Sequence, residues 1–244
     1  DFRKQIDYWG DFRTLFDYFI PGVLPGTTID IPPDLIANWE GPYTAAVVAA
    51  LSANPNAALQ LISTSNASVD KANLAQTTAP TTLGLLWYNV FATEDGQAQL
   101  NGNPFDNMTR MYRGSLDNAA LNAGVNRFAA DPAALANLRP YETSGIVTRP
   151  LVTLHTTGDE IVPFWHQQLY RRKLLANGIT HVVQIPVRRY GHCNFTTEEV
   201  LVAFSLVVLQ ATGAQTVDIP GFDMAGTRAE VDRARAEFDH STLR

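Results

Sequence analysis

Apolar residues follow two different rhythms along this chain. Between residues 148 and 211 they come in short runs and single faces. Pro150-Leu151-Val152-Thr153-Leu154-His155 is an apolar run of strand length, and Val182-Val183-Gln184-Ile185-Pro186-Val187 is a second. Between them, a segment opened by Pro163 and closed near Gly178 carries Trp165, Leu169, Leu174 and Leu175 on one approximate helical face. After the second run, Thr196-x-x-Glu199 is a capping-box signature, and Val200 to Leu209 continues as a helix expected to be largely buried. The order strand, helix, strand, helix predicts parallel pairing in an α/β sheet. Pro186 cannot donate a ladder hydrogen bond, which puts the second strand at or near a sheet edge. Two strands do not complete such a sheet, so further strands are expected from elsewhere.

Residues 1 to about 147 read differently. They are rich in Ala, Asn, Leu and aromatics, and Pro and Gly break them often. Tyr8-Trp9, Phe12, Phe16, Tyr18 and Phe19 form an aromatic cluster that ends at Pro21-Gly22 and Pro25-Gly26. Short helices are predicted over 34–40, 45–51 and 56–64, and after Asp131-Pro132 over 133–138. Leu83 to Phe91 reads as a buried helix, and Asn101-Gly102-Asn103-Pro104 as a turn. The pattern predicts an irregular all-helical layer of short helices over 1–147, followed by an α/β part over 148–244. In the tail, Val231, Ala234 and Phe238 give a charged helix a thin apolar stripe. The pairs Arg228–Asp232 and Arg233–Glu237 are spaced to support it.

Composition adds exclusions. A hydrophobic share of 45% with 17% charged residues fits a globular chain. A net charge of −6 disfavours nucleic acid, whose phosphates need a basic face. No apolar run reaches the roughly 18 residues of a membrane-spanning helix. The single cysteine, Cys193, excludes an internal disulfide and any multi-cysteine metal site. No His-Glu-x-x-His spacing occurs, and no cofactor is expected. The opening Asp-Phe-Arg-Lys-Gln is neither a signal peptide nor an initiator methionine, and it fits a chain that lacks its beginning. Compartment stays open for the same reason.

The chemistry concentrates behind the two strands. Asp159, in Gly158-Asp159-Glu160-Ile161-Val162-Pro163, follows the first, and His192, in Tyr190-Gly191-His192-Cys193-Asn194-Phe195, follows the second. Loops at the carboxyl ends of α/β strands are where such folds place ligands. A carboxylate there fixes the tautomer of a histidine and stabilises its imidazolium. Histidine in turn titrates near neutrality and moves protons. Glu160 is the rival acid. Of the other histidines, His155 is expected to pack near the site, and His166, His181 and His240 to be structural or exposed. Cys193 is expected to be a small buried residue rather than a nucleophile. Acid after one strand and histidine after the next is the back half of a Ser-Asp-His machine in chain order. Its front half, a Gly-x-Ser-x-Gly elbow, is absent. None of the eight serines has glycine at both −2 and +2, and Ser115 and Ser144 lack a preceding strand.

With these residues the chain resembles the α/β-hydrolase superfamily, specifically bacterial serine hydrolases with a large helical cap. The match runs from Arg149 to Phe204. Arg149 through Asp159 looks like the seventh strand and its acid, and His181 through His192 like the eighth strand and its base loop. The resemblance implies that residues 1–147 are the cap. It also implies a nucleophilic serine and oxyanion hole on an N-terminal part of the same hydrolase, a partner these 244 residues lack. The expected activity is cleavage of a small-molecule carboxylic ester by an acyl-enzyme route, with His192 as base and Asp159 as its orienting acid. Trp9, Phe12, Phe16, Tyr18, Phe19, Trp87 and Tyr88 are candidates for an acyl or aryl pocket. The alternatives are a peptidase of the same fold and a non-catalytic, hydrolase-like binding module.

Overall fold

A computed structural model describes residues 1–213 and positions 225, 226, 229, 232, 233 and 236. The expected tail helix, with its stripe and ion pairs, lies largely outside the described residues. The chain is mixed α/β and divides into two compact units, Asp1–Glu142 and Thr143–Arg244.

The first unit is helical. Its elements are α1 (Phe2–Phe19), α2 (Pro33–Ala37), α3 (Thr44–Ala53), α4 (Pro55–Ser65), α5 (Leu74–Leu100), α6 (Asn118–Gly124) and α7 (Pro132–Leu138). Two of these are long, unlike the short helices the sequence predicts. The carboxylate of Asp1 caps α1 through the Lys4 N–H at 3.2 Å. α5 runs for 27 residues despite Pro80 and stops at Asn101, whose left-handed φ of 55° turns the chain out. Pro80 lies in the second turn, where it removes one intrahelical bond, to the Gln76 carbonyl, without ending the helix. α1 packs on both α4 and α5. Phe12, Leu15 and Phe16 of α1 are fully buried, as are Leu85, Leu86 and Val90 of α5. No single described helix is long and apolar enough to cross a membrane.

Polar groups also enter this core, and several of them pair with one another. Thr14 and Thr28 share a hydrogen bond of 2.8 Å, and Asn89 donates to the Thr28 carbonyl at 3.1 Å. α1 also carries Asp7 and Asp11, bridged by Arg110 at 3.2 and 2.7 Å. The Tyr112 hydroxyl donates to Asp11 at 2.7 Å. Burial pushes the Asp11 carboxyl up to about 7, against the attraction of Arg110. A pKa raised above the unfolded value gives stability that is full below about pH 4 and is lost as pH rises through about 7. Asp11→Asn mimics the protonated group and lacks this dependence. The variant is therefore expected to gain on the wild type between pH 5 and 8 in urea unfolding. A stability gap constant with pH would refute the assignment.

The second unit contains β1 (Val152–Gly158), α8 (Trp165–Ala176), β2 (Val183–Tyr190) and α9 (Thr197–Thr212). The strands pair in parallel, with Val152 opposite Val183 and His155 opposite Pro186. Among the described residues the sheet has these two strands alone. α9 packs on β1, and Val202 and Leu206 form a core with Val183 and Ile185. Its N-terminus closes as the sequence predicts. Thr196 accepts from the Glu199 N–H, and Glu199 accepts from the Thr196 N–H at 2.7 Å.

The helices of this unit are less buried than expected. On α9, Val200 and Phe204 are exposed, the latter at 61%. On α8, Leu174 is buried but Trp165 and Leu175 are exposed. Two strands offer one small surface, so a helix that lies on them covers one narrow stripe and leaves its other apolar positions open.

Candidate active site

Asp159 and His192 meet. The His192 Nδ1 lies 2.9 Å from the Asp159 Oδ2, across 33 residues of sequence. Each residue leaves the carboxyl end of its strand, and parallel pairing puts both ends on one edge of the sheet.

Local packing fixes both loops. A β-carbon at Gly158 would stand 3.0 Å from the Arg189 carbonyl oxygen and the Tyr190 Cα, so glycine there lets the two strand ends approach. Gly191, with φ of +106°, turns the chain directly after β2. Its N–H donates to the Gly158 carbonyl at 3.2 Å, and its carbonyl accepts from the Thr156 hydroxyl at 2.6 Å. These two bonds tie the loop of His192 to the loop of Asp159.

The acid is buried, at 3% exposure. Its Oδ1 accepts from the N–H groups of Ile161 and Val162 at 2.9 and 2.8 Å, which leaves Oδ2 facing the imidazole. Glu160, the rival acid, is held above the ordinary carboxyl range, chiefly by burial and further by the Asp159 charge. The hydrogen bond at Nδ1 belongs to Asp159.

Behind the acid stands a chain of side chains that sequence reasoning found only in part. Gln184 on β2 donates to the Gln167 Oε1 at 2.6 Å, and Gln167 donates from Nε2 to the His155 Nδ1 at 3.1 Å. With Nδ1 accepting, the His155 Nε2 carries the proton. It donates to the Val162 carbonyl at 2.8 Å and lies 3.5 Å from the Asp159 Oδ2. His155 thus steadies the turn that orients the acid. On the base side, Arg189 grips Glu199 through two bonds of 3.0 and 3.1 Å and donates to the Asn194 carbonyl at 2.6 Å. The capping box had marked Glu199, but nothing local in the sequence pairs it with Arg189.

Cys193 is corrected. It is exposed, not buried, and has a left-handed φ of 50°. That turn swings its side chain back beside its neighbour, and Sγ lies 3.6 Å from the His192 Nε2. His166, inside α8, is buried against Trp165, with ring centroids 3.9 Å apart, and His181 is exposed. Ser115 and Ser144 lie in loops outside helix and strand. Among the described residues no three His, Cys, Asp or Glu side chains converge as a metal site.

The aromatic candidates separate. Phe12 and Phe16 are fully buried core residues and present no surface to a ligand. Tyr18 and Phe19 pack edge to face, 5.1 Å apart, and are partly buried. Trp9, Trp87 and Tyr88 line a common cavity in the helical unit, together with Phe91, which falls within the predicted buried helix but was not singled out.

Comparison with protein-family models, curated proteins and solved structures finds no match to this chain.

Proposed function

We propose that the chain supplies the acid and base of a serine hydrolase of the α/β-hydrolase type, acting on carboxylic esters. The observation that carries this reading is the 2.9 Å bond between the Asp159 Oδ2 and the His192 Nδ1, made at the carboxyl ends of two parallel strands. With Nδ1–H donated to the carboxylate, the neutral imidazole keeps its lone pair at Nε2. His192 is exposed, and its Nε2 carries the lone pair that a nucleophile's proton would take.

In this mechanism a serine hydroxyl outside the 244 residues attacks the ester carbonyl, and its proton passes to the His192 Nε2. The tetrahedral intermediate expels the alcohol, which takes that proton, and an acyl-serine forms. Water then attacks the acyl carbon, gives a proton to Nε2, and the acid product leaves as the serine recovers its proton. Asp159 holds the imidazole in the required tautomer and stabilises the imidazolium through both half-reactions.

Two further features support a partner that carries the nucleophile. The described sheet ends at two strands, and the helices on it expose Val200, Phe204 and Leu175. A parallel pair buried on both faces is how such sheets normally occur. The same acid and base serve amides, so a peptidase is the nearest variant. A non-catalytic module gives no reason for a buried acid with every oxygen aimed.

Cys193 offers a second nucleophile, because its Sγ is 3.6 Å from Nε2. One experiment separates the two. A fluorophosphonate probe is expected to label the assembled hydrolase at a serine outside these residues, and not the 244-residue chain alone. Cys193→Ala is expected to keep labelling and turnover. Loss of turnover in that variant, with the fold intact, would assign the nucleophile to the thiol. Labelling of the chain alone at Ser115 or Ser144, abolished by His192→Ala, would overturn the proposal.

A further inference from the structure

The helical unit encloses a cavity of about 290 Å³ between α1, α5 and the turn at residues 103–105. Phe2, Ile6 and Trp9 line it from α1, at the i, i+4, i+7 spacing of one helical face. Trp87, Tyr88 and Phe91 line it from α5. The rings make a continuous wall. Trp9 stacks on Tyr88 with centroids 4.7 Å apart, and Trp87 meets Tyr88 at 5.0 Å and Phe91 at 4.9 Å. Trp87 is nonetheless 40% exposed, a large aromatic kept at the mouth rather than in the core.

Polar recognition is scarce inside. The Thr28 hydroxyl is bonded to Thr14, and the Asn103 amide is bonded to the backbone of Phe105 and Ala129. The one charged lining residue is Asp95, which disfavours an anion. A glycine, Gly96, lines the cavity from α5. A β-carbon at Gly96, on the cavity side of α5, meets no atom within 4 Å.

We propose that this cavity is a binding site for a small uncharged aromatic molecule of one or two rings. Its volume lies at the lower end of ligand pockets, about 300–1,000 Å³, and its lining is aromatic. The site stands apart from the hydrolase reading, since it lies wholly within residues 1–142 and its test reads binding rather than turnover.

Isothermal titration of the 244-residue chain with 1-naphthalenemethanol is expected to give one saturable site, with Kd on the order of 0.1 mM for a ligand of this size. Sodium 1-naphthoate, an anion of similar shape, is expected to bind at least about tenfold more weakly, because Asp95 repels it. Gly96→Leu fills the cavity and is expected to weaken binding at least about tenfold. Helix propensity predicts an unchanged or higher unfolding temperature for that variant. Trp87→Ala, at an exposed position, provides a second variant with the same expected loss. Absence of saturable heat from the naphthyl alcohol would overturn the proposal. So would wild-type affinity in both variants, or tighter binding of decanol than of the aromatic alcohol.

Discussion

If the chain acts in the proposed hydrolase, His192→Ala in that assembly is expected to lower kcat/KM by about 10²- to 10⁴-fold, the range a positioned general base supplies. The fold should not notice, because the side chain is 40% exposed. Its Nδ1 bonds Asp159, whose Oδ1 is held independently by the Ile161 and Val162 N–H groups. Unfolding temperature is therefore expected to stay near the wild-type value while turnover falls. Asp159→Asn is the companion variant. An asparagine there no longer enforces the tautomer with a free Nε2, so it too should reduce kcat steeply. Steady-state hydrolysis of an activated ester, with a melting curve on each variant, reads both effects. Wild-type-like turnover in His192→Ala would sink the role of base.

The largest expected effect on stability lies in the helical unit. Arg13 is fully buried, and its Nε donates to both oxygens of Asp17 at 2.8 and 2.9 Å. One Nη donates to the Pro25 carbonyl at 3.1 Å, which fixes the loop after α1. Removing one partner of a fully buried pair costs about 3–5 kcal/mol. Asp17 keeps 22% of its side chain in solvent, which hydrates part of the charge left behind, so the expected cost here is about 2–3 kcal/mol. Arg13→Met keeps much of the volume and is expected to show that loss at pH 8. Burial already raises the Asp17 carboxyl to about 6, with Arg13 opposing. For a carboxyl raised in this way, stability is present below about pH 4 and is lost as pH rises through its folded pKa. Without Arg13 that pKa rises further, so protonation relieves the variant in acid and the deficit should be smaller at pH 5. Denaturant unfolding at the two pH values tests this. A loss below about 1 kcal/mol, the value of a surface pair, would show that the contact is weak.

What the sequence disclosed of the site follows from locality. Asp159 and His192 each stand directly after an apolar run, so strand and loop can be read together from a few neighbouring residues. The groups that steady them are not local. Gln184, Gln167 and His155 join across β2, α8 and β1, and only the pairing register brings them within reach. Arg189 and Glu199 stand ten residues apart across a loop whose path depends on the φ of Gly191 and Cys193. Cys193 was misjudged because composition speaks for the average cysteine, whereas this one occupies a left-handed turn.

The fold was legible in the same uneven way. The strand-helix-strand-helix order came from spacing alone, because strands of seven and eight residues and a capped helix leave short-range marks. α5 did not, because Pro80, Gly84 and Gly96 interrupt its pattern, and its apolar residues do not keep to one stripe. The long helix is held by packing on α1, which propensity does not encode. The aromatics of α1 likewise look alike in sequence. Their division is visible only in the structure: Phe12 and Phe16 are core, whereas Trp9 stacks on Tyr88 of α5 and walls the cavity.

Glu199 has two tasks at once. One carboxylate closes the first turn of α9 and also clasps Arg189, whose other contact holds the loop next to His192. Two traits that evolution or a protein engineer usually adjusts apart, helix robustness and placement of the His192 loop, therefore share a single codon. Glutamine at this position preserves the cap but weakens the clasp, whereas alanine removes both. The two substitutions together can apportion any change in activity between the architecture of the helix and the poise of the loop.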